Sequence, residues 1–127
     1  MAITRMNHFT VLCEDLATTV KFYVDVLGLR EGPRPPLGIP GAWLYAGDEP
    51  VLHVVAGRAL PNPPGGVLDH MAFSAENLRD VAARLSAAGV AVSLGRQPQT
   101  GVWQLFFHDP NGARVELDFA ADEAAPT

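Results

Sequence analysis

The chain has 127 residues, 48% of them hydrophobic, and a net charge of −5. This length fits one domain with an ordinary hydrophobic core, and no stretch approaches the ~18 consecutive apolar residues that span a membrane. Lys21 is the only lysine and the arginines are scattered along the chain, so no basic face for nucleic acid is expected. Composition therefore favours a protein that binds neither nucleic acid nor membranes.

The cysteine content and the sequences of the two termini bear on the cellular compartment and on the order of the C-terminus. Cys13 is the only cysteine and cannot form an intrachain disulfide, which suits a reducing cytoplasm. The first residues lack the basic-then-apolar order of a secretory signal. We expect a cytoplasmic protein whose residues 121–127, rich in alanine and acidic groups, form a flexible tail.

The first half of the chain predicts the element order β-α-β-β-β. Alternating apolar residues indicate a strand over 3–13, and helical spacing over 16–27 indicates a helix that Gly28 ends. A short strand is expected at 29–31, followed by a loop rich in proline and glycine. Residues 42–46 and 51–56 are typical of a hairpin. Residues 61–66, with three prolines and two glycines, form the linker.

The second half predicts the same order. Strands are expected at 67–74, 90–94, 102–108 and 113–119, and a helix at 76–88 that Gly89 ends. The turn Asp109-Pro110-Asn111-Gly112 has residues suited to its backbone angles. The chain is thus interpreted as one domain, 1–127, built from two βαβββ modules at 1–60 and 67–120.

The repeat aligns four polar residues. His8 and His70 lie in the first strands of the two modules, while His53 follows His8 by 45 residues and Glu116 follows His70 by 46. Since successive strand residues face opposite ways, these four fall on the face away from the apolar positions that should pack on the helices. If an approximate twofold relates the modules, the four side chains can converge on one point.

Such a set of residues suits a divalent metal ion. Neutral imidazoles and a carboxylate are ligands for Fe, Mn, Ni, Co or Zn. A metal ion with open positions can bind two substrate oxygens and stabilise an enolate. Glu116 is the candidate catalytic base as well as a ligand, and His53 is interpreted as a fourth ligand.

Several segments carry a family resemblance, and they span almost the whole chain. They are Asn7-His8-Phe9-Thr10-Val11, Phe22-Tyr23 with Leu27-Gly28, Asp69-His70-Met71-Ala72-Phe73, and Asp109-Pro110-Asn111-Gly112 with Val115-Glu116-Leu117. They resemble the vicinal oxygen chelate superfamily, which includes glyoxalase I, extradiol dioxygenases, and fosfomycin- and bleomycin-resistance proteins. The resemblance implies an α+β fold of two βαβββ modules, with an open cup-shaped mixed sheet and helices on its outer face. It also implies a metal held by His8, His70 and Glu116, a fourth ligand position at His53, and a homodimer.

The sequence matches the residue patterns of some members of that superfamily better than those of others. Leu12 and Gly57 stand where glyoxalase I typically has glutathione-binding residues, and Gln97-Pro98-Gln99 occupies the window where extradiol dioxygenases have a histidine. Enolate-type isomerase or lyase chemistry needs only the ligands present. We therefore rank it above extradiol dioxygenation, with a non-catalytic protein that sequesters a small molecule as the other alternative.

Four aromatic residues are predicted to line the substrate pocket: Trp43, Tyr45, Trp103 and Phe106. An aromatic lining favours an apolar or aromatic substrate with two oxygens for the metal. Arg114 shares its strand face with Glu116 and is interpreted either as a ligand for a substrate carboxylate or as an exposed rim residue.

Overall fold

The protein is described by a computed structural model that covers residues 2–126. The described residues form two compact units, the first ending at Leu60 and the second beginning at Pro61. No helix in the described part of the chain is long and apolar enough to cross a membrane.

The first unit is a four-stranded sheet with one helical segment. Its elements are β1 (Phe9–Cys13), α1 (Leu16–Lys21) continued by a π-helical turn (Phe22–Val26), β2 (Arg30–Gly32), β3 (Gly41–Ala46) and β4 (Glu49–Ala56). The second unit repeats this order. Its elements are β5 (Met71–Ser74), α2 (Leu78–Ala87), β6 (Ser93–Arg96), β7 (Trp103–His108) and β8 (Arg114–Phe119).

The two sheets have the same topology. The strand order is β1-β4-β3-β2 in the first and β5-β8-β7-β6 in the second. In each, the first strand of the unit pairs in parallel with the last, and the remaining neighbours are antiparallel. The α+β fold of two βαβββ modules is therefore confirmed.

Each sheet buries one face. In the first sheet the buried positions are Val11, Cys13, Ala42, Leu44, Leu52 and Val54, and α1 contacts β3 and β4. In the second sheet they are Met71, Leu105, Phe107, Val115, Leu117 and Phe119. Because side chains alternate along a strand, the residues between these positions share the opposite face, which carries the polar positions singled out by the repeat.

The first helix differs from its prediction in its last turn. Residues 22–26 are π-helical instead of α-helical, with Phe22 and Tyr23 buried. The helix ends at Gly28, as predicted. Gly28 has a φ of +83°, and Leu29 N–H donates to the Tyr23 carbonyl at 3.0 Å. Glycine adopts this left-handed conformation without a Cβ penalty.

The first strand of each module begins later than predicted, directly after its histidine. If the β1–β4 ladder, which begins with Phe9 opposite Leu52, continued, Asn7 would face Pro50, which has no N–H to donate. In the second unit Ala113 N–H donates to the Asp109 carboxylate and the Ala113 carbonyl accepts from Asp109 N–H. The backbone N–H and carbonyl of Ala113, with which a longer β5 would pair, are thus already hydrogen-bonded to Asp109.

The strand predicted at 90–94 is also shifted, to Ser93–Arg96. Val90 N–H still donates to the Leu85 carbonyl at the end of α2, at 3.0 Å. The chain can join the sheet only after it has left the helix terminus.

Candidate metal centre

The first unit brings His8 and His53 together. Their rings stack with centroids 3.7 Å apart and planes 13° from parallel. The parallel ladder pairs Thr10 with His53, so His8, two residues before Thr10, lies on the same face as His53. The structure therefore places both predicted histidines of this module at one point.

His53 lies between two rings and has one free nitrogen. Trp43 stacks on it with a centroid distance of 4.1 Å. Its Nε2 atom is buried without a hydrogen-bond partner among residues 2–126, so its hydrogen bond to the Pro50 backbone falls on Nδ1. Burial lowers the pKa of His53, and the nearby His8 lowers it further. Both effects favour the neutral imidazole, which is the form that binds a metal.

His8 has the same arrangement of ring nitrogens. Its Nδ1 lies 2.7 Å from the side-chain oxygen of Asn7. Since that amide oxygen can only accept, Nδ1 carries the proton and the Nε2 lone pair is available.

The second unit brings His70 and Glu116 together. His70 Nε2 lies 3.2 Å from Glu116 Oε1. The ladder pairs Ala72 with Glu116, which is the register of Thr10 with His53 in the first unit. Each unit therefore presents one pair, formed by the residue just before its first strand and a residue of its last strand.

Asp69 fixes the orientation of His70. Asp69 Oδ2 accepts from His70 Nδ1 at 2.7 Å and from Arg114 Nη1 at 2.6 Å. These two hydrogen bonds, the one from His70 first, hold the pKa of Asp69 below its usual value. The Nδ1 proton is thus directed at a carboxylate and Nε2 is left facing Glu116, the arrangement by which outer carboxylates orient metal-binding histidines.

Glu116 is a buried acid beside another acid. Its side chain is 9% exposed. Burial raises the pKa of Glu116, and the hydrogen bond and charge of Asp118 raise it further. Asp118 Oδ1 is itself buried without a partner in the described part of the chain. A cation at Glu116 would relieve the repulsion between the two carboxylates.

The aromatic residues predicted for the pocket separate into two groups. Trp43 stacks on His53, and Phe106 meets the His70 ring edge-on at 5.6 Å. Tyr45 lies on the Trp43 face, where Arg30 covers its ring. Trp103 differs: it pairs with Phe119 and therefore lies on the face opposite Glu116. Its indole N–H donates to the Glu123 carbonyl at 2.9 Å.

Arg114 has two partners within its own unit. Besides the ion pair with Asp69, its guanidinium lies 4.4 Å from the centroid of the Phe106 ring. The structure gives it the role of holding Asp69 and covering Phe106.

Sequence reasoning missed the residues that hold the histidines. Asn7 and Asp69 each directly precede a repeated histidine, so the repeat itself carried the signal. Within residues 2–126 no group of three or more His, Cys, Asp or Glu side chains is arranged to hold a metal ion. Each unit by itself supplies two possible ligands, and all four have donor atoms of the types that bind borderline divalent metals.

Comparison with known proteins identifies the family. The model of the Glyoxalase/Bleomycin resistance protein/Dioxygenase superfamily matches residues 5–117, so the chain belongs to that superfamily. The chain is 32% identical over 126 residues to Glyoxylase I 4 of Arabidopsis thaliana, covering 91% of this chain and 70% of the relative.

Two further similarities are informative. The chain is 29% identical over 132 residues to the ethylmalonyl-CoA/methylmalonyl-CoA epimerase of Cereibacter sphaeroides, covering 91% of this chain and 98% of the relative. Among solved structures it is similar to TnmS3, an antibiotic-binding protein from Streptomyces sp. CB03234. That match has a TM-score of 0.69 and 25% identity, and covers 94% of this chain and 98% of the other.

Proposed function

We propose that the chain is a metal-dependent enzyme that binds a small substrate through two oxygens and catalyses isomerase or lyase chemistry by proton transfer next to a carbonyl. The observation that carries this proposal is the repeated pair. His8 with His53 and His70 with Glu116 stand at the same register in two copies of one fold. A structural role alone gives no reason for polar pairs to recur at that position.

The fit to a divalent metal rests on the ring nitrogens. Each of the three histidines has Nδ1 engaged by an oxygen, from Asn7, from the Pro50 backbone and from Asp69. Nε2 is left without a partner in His53 and directed at Glu116 in His70. Three imidazoles and one carboxylate suit Fe, Mn, Ni, Co or Zn.

The proposal requires both pairs on one ion, contributed by one chain or by the two chains of a homodimer. These alternatives predict different results when His8→Ala and Glu116→Ala proteins are mixed and allowed to exchange subunits. If a site is shared between chains, each mixed dimer regains one intact site and metal binding returns. If a site lies within one chain, the mixture binds no more metal than its components.

In the proposed chemistry the metal would stabilise negative charge on a substrate oxygen. Glu116, the candidate base as well as a ligand, would accept the proton from the adjacent carbon. The hydrogen bond from His70 Nδ1 to Asp69 turns Nε2 toward Glu116, so that both donor atoms, 3.2 Å apart, face one point. Trp43 and Phe106 exclude water beside the two pairs.

Two relatives support this assignment and one supports an alternative. Glyoxylase I 4 and the acyl-CoA epimerase are named for lyase-type and isomerase-type activities. The likeness to an antibiotic-binding protein favours a second candidate function, in which the chain sequesters a small hydrophobic compound without turning it over. Extradiol dioxygenation ranks below both, because Gln97-Pro98-Gln99 offers no second proton-handling histidine.

A proton-exchange experiment separates the enzyme from the binding protein. Protein reconstituted with each metal is incubated in D2O with a panel of hydroxyketones, hemithioacetals and acyl thioesters, and loss of the C–H signal next to the carbonyl is followed by proton NMR. We expect exchange with at least one compound, abolished by chelation and by Glu116→Gln. Tight binding of a compound that is never exchanged, and that persists in His8→Ala, contradicts the enzyme and supports the binding protein.

A further inference from the structure

Arg34 lies on the His53 face of the first sheet, although it belongs to the proline-rich loop between β2 and β3. Tyr45 shares that face with Trp43, and its hydroxyl donates to the Pro33 carbonyl next to Arg34. At the other end of the loop, Ala56 N–H donates to the Pro40 carbonyl at 3.0 Å. The loop is therefore fixed to the sheet on both sides of Arg34.

The guanidinium lies against the backbone where β3 begins. A Cβ built on Gly41 would clash with the Val54 carbonyl oxygen and would lie 2.9 Å from Arg34 Nη2. Gly41 is two residues before Trp43 in β3 and has the same strand parity, and the charge of Arg34 acts on His53. Two residues along a strand span about 6.6 Å. The guanidinium of Arg34 thus lies about two strand residues away from the paired Trp43 and His53.

Arg34 has more donors than partners. Nη2 donates to the Ile39 carbonyl at 3.0 Å, while Nε is buried without a hydrogen-bond partner among residues 2–126. Within the same residues it makes no ion pair with a carboxylate. A guanidinium carries five N–H donors and is always charged. Leaving a buried donor of a charged group unpaired is costly, so its acceptor is expected to arrive with a ligand.

We propose that Arg34 binds an oxyanionic group, a carboxylate or a phosphonate, of a small acidic substrate whose other oxygens bind the metal at His53. The planar guanidinium matches both groups by paired hydrogen bonds. Arg34 is only partly buried, so a small anion can reach it. The inference rests on the proposed metal site for the other end of the substrate. It adds a substrate class: acids with a second oxyanion a few bonds from the chelating pair.

The test compares probes that differ by one anionic group. Lactate offers only the hydroxy-acid chelate, malate adds a carboxylate, and 2-hydroxy-3-phosphonopropanoate adds a phosphonate. Titration calorimetry on metal-loaded protein should show one of the two longer acids binding about 10- to 100-fold more tightly than lactate, the range for charge-assisted hydrogen bonds. The tighter of the two identifies the anionic group.

Variants assign that preference to Arg34. Arg34→Gln should abolish it, and Arg34→Lys should keep part of it. Arg58→Gln removes the same charge from an exposed position of the same unit and should leave the preference unchanged. Thermal unfolding of each variant checks that the loop is intact. Equal binding of all three acids to the unmodified protein, or a preference that survives in Arg34→Gln, overturns the inference.

A metal-free measurement keeps this inference separate from the proposed function. Succinate and inorganic phosphate are added to the metal-free protein, and the Arg34 Nε–H resonance is followed by NMR. A shift that saturates supports the anion site even if no metal ever binds. An unchanged resonance, in protein that does bind metal, contradicts the anion site and leaves the metal proposal standing.

Discussion

Replacing Glu116 by glutamine should make the metal-free protein more stable while destroying the metal site. Glutamine has nearly the same size and can still accept a hydrogen bond. Its amide can also donate to Asp118, whose Oδ1 has no partner within residues 2–126. The substitution removes a buried charge whose pKa is raised by burial and by Asp118. Stability is therefore being given up for function.

The expected gain at pH 7 is about 0.5–2 kcal/mol, the usual range for single stabilising substitutions, or roughly 2 to 10 °C in Tm for a chain of this size. Its pH dependence has a definite sign. A carboxyl with a raised folded-state pKa favours the native state when protonated, so the native protein loses stability as pH rises through that pKa. The advantage of glutamine should therefore vanish below about pH 4 and be complete near neutrality.

The assay is chemical unfolding of metal-free protein between pH 3.5 and 8, with metal affinity measured by calorimetry. Affinity should fall more than about 100-fold, beyond the effect of removing an outer-shell residue. Asp118→Asn is the matched control: it should also raise stability at pH 7 but keep the metal. The double variant should gain less than the sum, because both changes remove one repulsion. A Glu116→Gln protein less stable than the parent at pH 7 would refute this account.

Three further predictions concern single positions. Asp69→Ala should weaken metal binding by about 10- to 100-fold, whereas Asp69→Asn should retain most of the affinity because Asn7 already serves His8 in this way; equal losses in both variants would contradict a role in orienting His70. His53→Phe should preserve the stack with Trp43 and cost only about 0.5–1.5 kcal/mol in unfolding free energy, through the lost hydrogen bond to the Pro50 backbone, yet lower metal affinity at least about tenfold; unchanged affinity would remove His53 from the ligand set. Gly28→Ala should cost about 1–2 kcal/mol in urea unfolding, because φ is +83° there; a cost near zero would mean that the helix end can rearrange.

The sequence allowed the fold and the two pairs to be predicted because the signal is repeated. Strand parity placed His53 and Glu116 opposite the apolar positions, and the ladders have that parity. The same reasoning also applied to Trp103, which shares parity with the buried Leu105 and Phe107. The face of the sheet on which Trp103 lies could therefore have been predicted from the sequence.

Other features depend on backbone geometry that a pattern does not encode. The position of Arg34 follows from how a loop of prolines and glycines folds over Gly41, and local spacing says nothing about that path. The late starts of β1 and β5 depend on Pro50 in β4 and on the Asp109–Ala113 hydrogen bonds in the turn between β7 and β8, which are far from β1 and β5 in the sequence. The role of Arg114 likewise required the position of Asp69, 45 residues away.

The central claim is that both repeated pairs hold one metal ion, and metal content tests it most directly. Protein purified without added chelator is analysed by inductively coupled plasma mass spectrometry alongside His8→Ala and Glu116→Ala, one variant from each unit. The account predicts about one divalent ion per chain in the unmodified protein and loss of the ion in both variants. A chain that holds no stoichiometric metal after incubation with Fe, Mn, Ni, Co and Zn, or one that keeps its metal when either pair is broken, would contradict it.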